Sequence, residues 1–458
     1  LGRRNPSTYT AYASGFLLPR ASICSLLATA QDPLKTLCRF GRSQMSGNRE
    51  SLNFVRNANP RPRTPDPELA ERLPSLMLVA GEASGDLHAS ALAHVLRGLA
   101  PTWQLTGMGG SHMAKAGISL FHNITAHAVV GSVEALGRLP TLFRAFRVCS
   151  ERIVHERPQA LVLVDFPEFN IRLARVARRQ GIPVVYFVPP QLWAWRPWRV
   201  RTVRQVVTKV LACFPFERDF YRTHSVPVEF VGHPLLDRLP ALSRDGARAA
   251  LSVAPDELMI GLLPGSRREE VARLLPIMLD AAGRVARRKP ATQVLVALAP
   301  TMMLEDVRPL LAGHACPVRV IQGETYQVMV GADCLLVASG TATLEAACFG
   351  TPMVVCYKLS RLSYLIARSL IRVPWISLVN IVADREVVPE LIQDQLTPER
   401  LATHVSVILE DRSVAKAQRD GLALVRERLG PSGASERAAR SVLALAGHPG
   451  FVSEKGTA

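Results

Sequence analysis

The sequence predicts an α/β protein with two open, parallel sheets facing a central cleft, and three observations predict it. From Leu76 onward, short β-branched runs alternate with segments of helical period, the signature of βαβ units. The alternation breaks at "GHPLLDRLP", residues 232–240, and restarts at Met259, so two Rossmann-like domains stand in series. At 458 residues, 48% hydrophobic and 20% charged, the chain exceeds one ordinary core and suits two packed ones.

The elements follow in order. Residues 1–74 lack sustained periodicity and end in the proline-spaced "NANPRPRTPDPELAERLP", so they are set outside the fold as an extension and linker. A reading frame that starts upstream, with Met45 as the true start, is the expectation for this stretch. Its six basic residues against Asp32 alone, up to Gln44, also fit an organelle transit peptide. The first domain, 75–235, has strands predicted at Leu76–Ala80, Ala160–Val164, Val184–Val188, Lys209–Phe214 and Val228–Val231. The second, 236–415, has them at Met259–Leu263, Gln293–Leu298, Val318–Ile321, Cys334–Val337 and Met353–Tyr357. Helices at 416–448 are expected to pack back on the first domain, ahead of a tail at 449–458.

Composition narrows the function classes. A formal charge of +17 points to anionic partners: nucleic acid, an anionic membrane face or phosphorylated substrates. No RRM, KH or OB signature is present, which argues against nucleic acid. No apolar run is long enough for a spanning helix. The eight cysteines form no C-x-x-C pair, and several sit in apolar runs, so they read as small buried hydrophobes in a reducing compartment, with no zinc cluster.

Open parallel sheets bind ligands beyond the carboxyl ends of their strands, so the loops there are where chemistry is sought. "GLLPGSRREEV", residues 261–271, pairs a flexible Gly265 with Ser266, the free amides of a helix start, and Arg267 to clamp a phosphate oxygen. "LLVASGTATLEAACFG", residues 335–350, repeats this with Ser339, Gly340 and Thr341. Glu345, one turn further, either accepts from a ribose diol or simply suits the helix dipole. Two cradles suit a nucleoside diphosphate, while neither matches the P-loop or dinucleotide fingerprint.

In the first domain, "LMLVAGEASGDLHAS" leaves its strand at Gly81 and brings Glu82, Ser84, Gly85, Asp86 and His88 together. "LVLVDFPEFN" ends a strand on Asp165, placed for a general base or an electrostatic anchor, or else for a cap or buried polar group. "VVYFVPPQLWAWRPWRVRTVRQ" interleaves Trp193, Trp195 and Trp198 with Arg196, Arg199, Arg201 and Arg204. Such a mixture binds nucleic acid, holds a phosphorylated amphiphile, lies at a membrane interface, or forms a buried aromatic cluster. Residues 357–380 pose the same alternatives.

Together these stretches resemble the lipid-A-disaccharide synthases, inverting glycosyltransferases of the GT-B type. The likeness rests on "GEASGDLHA", "GMGG", "VGSVEALGRLP", "DFPEFN", "LWAWR", "FPFE", "FVGHP", "LPGSR", "ASGTATLEA" and "SLVNIVADREVVPELIQ", in family order from about Leu76 to about Gly447. It implies transfer of 2,3-diacylglucosamine from UDP-2,3-diacylglucosamine to 2,3-diacylglucosamine 1-phosphate, giving the β-1,6 lipid A disaccharide and UDP. Catalytic roles then fall on Asp165, the first choice as base, on Glu82, the runner-up, and on Ser84. Gly265, Ser266, Arg267, Ser339, Gly340, Thr341, Glu345 and Asn380 would hold the donor, and Trp193, Trp195, Arg196 and Arg199 the acceptor or the membrane. No cofactor and no metal are expected, since no D-x-D motif stands in the strand-end loops. The resemblance also implies peripheral attachment to the cytoplasmic face of a Gram-negative inner membrane, and family members can exchange carboxyl-terminal segments in a homodimer. Glu168 stands where many members have Asp, and His233 is taken as a hinge residue rather than a base.

Overall fold

The computed structural model describes residues 73–124, 139–314, 317–361, 364, 368 and 373–451. The amino-terminal extension, most of "VGSVEALGRLP", much of 361–372, the tail beyond 451 and Cys24, Cys38 and Cys316 lie outside the described residues.

Seven strands form the first sheet: β1 (Ser75–Ala80), β2 (Gln104–Gly109), β3 (Ser119–Asn123), β4 (Ala160–Val164), β5 (Val184–Phe187), β6 (Lys209–Ala212) and β7 (Val228–Phe230). Their order is β3-β2-β1-β4-β5-β6-β7, and every pairing is parallel. The second sheet repeats the plan with β8 (Leu258–Leu263), β9 (Thr292–Leu298), β10 (Val318–Gln322), β11 (Cys334–Ala338), β12 (Met353–Tyr357) and β13 (Glu390–Ile392), ordered β10-β9-β8-β11-β12-β13 and again parallel. Each sheet therefore reverses direction once, between β1 and β4 and between β8 and β11. These are the switch points where doubly wound folds bind ligands.

Burial explains why the central strands are apolar throughout. In β1, Leu76, Leu78 and Ala80 enter one core while Met77 and Val79 enter another on the opposite face. In β11, Leu335 and Val337 face one core and Cys334, Leu336 and Ala338 the other. Helices cover both faces, so Leu76–Ala80 and Cys334–Ala338 are shut off from water. Cys149, Cys213, Cys334, Cys348 and Cys356 are free and buried, as small hydrophobes are.

The chain crosses between the sheets twice. After β7 it passes through "GHPLLD", and after the helix Arg412–Arg428, which packs on the second sheet's helices Thr341–Phe349 and Leu378–Ala383, it returns. The last helix, Ala434–Leu445, lies against Ala83–Leu99 of the first domain. The crossings are tied together: the His233 amide donates to the Leu429 carbonyl at 2.9 Å, and Asp237 accepts from the amides of Gly433, Ala434 and Ser435. No described helix is long and apolar enough to cross a membrane.

Candidate active site

On the first sheet the switch point is bounded by the turns after β1 and β4. Gly81 has no alternative, because a Cβ there would enter the Phe166 ring. The backbone bends sharply on the other side: Asp165 (φ +50°) and Phe166 (φ +49°) are consecutive left-handed residues, neither of them glycine. Such conformations cost about 1–3 kcal/mol each and mark sites that the surroundings over-determine. The bend brings the half-buried Asp165 carboxylate to Ser84, whose hydroxyl donates to Oδ2 at 3.5 Å. Burial holds the Asp165 carboxyl above its usual range, while the Phe166 amide and Ser84 hydroxyl pull it back. Glu82 is raised too, by its surroundings and by the charge of Asp165, while Arg267 works the other way. Two carboxyls with elevated affinity for protons thus stand at one strand-end crevice. Asp86 has a different task, accepting from the amides of Gly110, His112 and Met113 at 2.7–3.1 Å to pin the turn after β2.

The second sheet supplies the complementary side. Gly265, at φ +117°, takes a conformation that side chains rarely adopt, and a Cβ there would strike the Glu270 carboxylate. That carboxylate accepts from the Ser266 amide at 3.2 Å, the reach-back that closes a helix start. Burial raises the Glu270 carboxyl, and the Ser266 amide and Arg267 oppose this. Ser266 and Arg267 themselves are exposed. The helix Thr341–Phe349 starts at Gly340 with no side-chain cap, as the helix Arg268–Arg288 does at Arg267, so its first amides are uncommitted to any side chain. Ser339 turns its hydroxyl to the Ile376 carbonyl at 3.3 Å instead.

Glu345 lies one turn deeper and is half-buried. It accepts from the Tyr326 hydroxyl at 3.1 Å, with the Arg238 guanidinium 3.9 Å away. Burial raises its carboxyl against both partners, and burial followed by the Glu345 charge pushes Tyr326 up to about 12. Beside Arg238 lie His88 and His233, 6.0 Å apart between ring centres and nearly perpendicular. Burial lowers them to about 3 and about 4, so both are neutral at ordinary pH. The Nδ1 of His233 accepts the Leu235 amide at 3.1 Å, which fixes its tautomer and supports the turn at the hinge.

Comparison with known proteins decides the family. The lipid-A-disaccharide synthetase family model matches residues 76–443. The lipid-A-disaccharide synthase of Geobacter sulfurreducens is 45% identical over 373 residues, covering 81% of this chain and 97% of its own length. That of Myxococcus xanthus is 40% identical with the same coverage. The chain belongs to the lipid-A-disaccharide synthase family. It is accordingly a glycosyltransferase. Solved structures share the fold at low identity: a UDP-N-acetylglucosamine 2-epimerase described as putative, from Listeria monocytogenes, has a TM-score of 0.56 at 13% identity, covering 81% of this chain and 96% of its own. MurG of Acinetobacter baumannii has 0.51 at 13%, covering 81% and 99%. The two-sheet architecture expected of the family is therefore present.

Among lipid-A-disaccharide synthase residues singled out from the sequence, the structure brings Glu82, Ser84 and Asp165 to one crevice, and Gly265, Ser266, Arg267, Ser339, Gly340, Thr341 and Glu345 to the ends of β8 and β11. Asn380 departs from its expected place at the donor. It is fully buried, donates to Val388 O and Glu390 Oε1, and accepts from the amides of Val387 and Val388, so its amide has nothing left for a ligand. Its work is to brace the 376–390 turn beside Ser339. Arg196 and Arg199 both pair with Glu168. Trp193 donates to the buried Glu217 at 3.2 Å, and Trp195 lies under the Arg196 guanidinium at 4.7 Å. Trp198 remains 59% exposed. Sequence reasoning missed Arg238, in the quoted hinge motif, and Tyr326, for which no motif gave a signal.

Proposed function

We propose that this chain transfers the 2,3-diacylglucosaminyl group of UDP-2,3-diacylglucosamine to the 6-hydroxyl of 2,3-diacylglucosamine 1-phosphate, with inversion. One observation supports the assignment of sides: Ser84 and Asp165 meet at the strand ends of the first sheet, while Arg267 and the uncapped helix start at Gly340 follow strands of the second, so a diphosphate clamped by the second sheet meets a hydroxyl activated by the first. Asp165 takes the proton from the 6-hydroxyl as its oxygen bonds to the anomeric carbon. The bond from that carbon to the β-phosphate oxygen breaks, and UDP leaves with the electron pair. A base with an elevated pKa is better matched to a hydroxyl than an ordinary carboxylate. Arg267 and the amides at Gly340–Ala342 receive the charge growing on the departing diphosphate, and Glu345 accepts from the ribose. Incubating the protein with both acylated sugars tests this: UDP and disaccharide should appear in equal amounts. An epimerised donor without UDP would refute it.

The substrates' acyl chains call for work at a lipid surface, and we place it on the cytoplasmic face of the inner membrane. Support comes from the helix Pro167–Arg179, where Arg172, Arg179 and Arg199 crowd Arg175 so closely that, after burial, their charge lowers its pKa. Phe143, on the helix Leu139–Glu156 that packs against this one, is 66% exposed, and Trp198 is 59% exposed. Basic and aromatic side chains of this kind hold proteins to anionic bilayers. Co-sedimentation with phosphatidylglycerol vesicles should fall as salt rises; equal binding to neutral vesicles would contradict an electrostatic share.

A further inference from the structure

The turn at Asp165 is held by groups that do not touch the crevice. The Asp165 carbonyl oxygen accepts two hydrogen bonds, each of 2.7 Å, from the Tyr186 hydroxyl and from Asn170 Nδ2. Asn170 Nδ2 also reaches the Val164 carbonyl at 3.2 Å, so one amide spans the last strand residue and the first left-handed one. Tyr186 comes from β5, beside Leu163 in the register of β4, and is wholly buried. Burial raises its hydroxyl well above the usual range, which keeps it a donor at every working pH. Below the turn, the Phe166 ring stacks on Phe169 at 5.2 Å and fills the space that Gly81 leaves.

An ordinary hydrophobic end to β4 needs none of this. Left to its local preferences, a non-glycine pair would leave the left-handed region, and the carboxylate would swing with the peptide. We propose that Tyr186 and Asn170 are positioning residues for the glycosyl transfer: by pinning the Asp165 carbonyl they impose the left-handed turn, and the turn aims the carboxylate at Ser84 and the crevice. This rests on the reading of Asp165 as the base, and goes beyond it by naming what sets its aim.

The test is Tyr186→Phe, which keeps the buried ring and removes one donor, with Asn170→Ser as a second variant that removes the other. Two measurements separate this inference from the reading it rests on. In ¹³C-aspartate-labelled protein, with the signal assigned by Asp165→Asn, the Asp165 carboxyl should titrate closer to the ordinary range in either variant. An unchanged titration in both overturns the inference. Turnover with both acylated sugars should fall about tenfold or more, with the affinity for UDP unchanged, since small displacements of a reacting group are costly. In the Asp165→Asn background Tyr186→Phe should cost nothing further, whereas additive losses would mean that Tyr186 acts elsewhere. If the titration moves and turnover does not, the turn is held as described and Asp165 is not the base.

Discussion

Arg267, on the loop after β8, works against the elevated pKa that burial and Asp165 impose on Glu82, on the loop after β1. The two residues belong to different sheets and stand at equivalent switch points. A cation therefore stands on one side of the gap and a carboxyl pair on the other.

That polarity fixes what Arg267→Ala should do. A charge-assisted hydrogen bond is worth about 1.5–3 kcal/mol, so UDP binding measured by calorimetry should weaken by roughly tenfold to a hundredfold. Unaltered affinity would move the diphosphate off this loop.

Asp165→Asn should separate binding from chemistry. The affinity for UDP stays near that of the unmodified protein, and turnover falls about a hundredfold or more, the range for a lost general base. The acid limb of the pH profile should lie above the usual carboxylate range, because the folded protein holds this carboxyl's pKa up and activity is lost as pH falls through it. A limb at the ordinary position would point away from Asp165.

Glu345→Ala should act on the ribose alone. Affinity for UDP drops by about tenfold, in line with a hydrogen bond to a charged group, while 2′,3′-dideoxy-UDP binds equally to both proteins. Equal losses for the two nucleotides would show that Glu345 contributes through the helix, not the diol.

Glu217 predicts a pH-dependent stability. It is fully buried, accepts from Trp193 Nε1 and the amides of Cys213 and Phe214, and burial raises it from 4.5 to about 7 despite those donors. A raised folded-state pKa means a contribution that is complete below pH 4.5 and lost as pH rises to about 7. The loss is on the order of 3 kcal/mol. Urea melts of Glu217→Gln against the unmodified protein should show their stability difference shifting in the variant's favour between pH 5 and pH 8. A difference independent of pH would exclude a neutral Glu217 at the acid end.

Much of this was legible in the sequence for a physical reason. Strands β1, β4, β8 and β11 are covered on both faces, so they are written as unbroken apolar runs. The loops after them stand out because small and charged residues follow abruptly. Strand β2, "QLTGMG", carries a weak signal, since two glycines and a threonine dilute it; β3 and β13 are edge strands whose side chains are mostly half-buried or exposed, and carry none. Within the site, Glu345 could be placed from its distance to the helix start, but its partners Tyr326 and Arg238 come from elements brought together only by packing. Asn380 shows the reverse limit. Sequence places a residue near a ligand loop, and only the directions of its hydrogen bonds reveal that the amide points inward.

The double crossing at His233 and Leu429 also governs how the enzyme can move. A single tether would let one lobe swivel freely about the other. With two chain segments stitched side by side, and Asp237 fastening the returning helix, a twist of one lobe on the other would break these hydrogen bonds, whereas a bend along the seam would keep them.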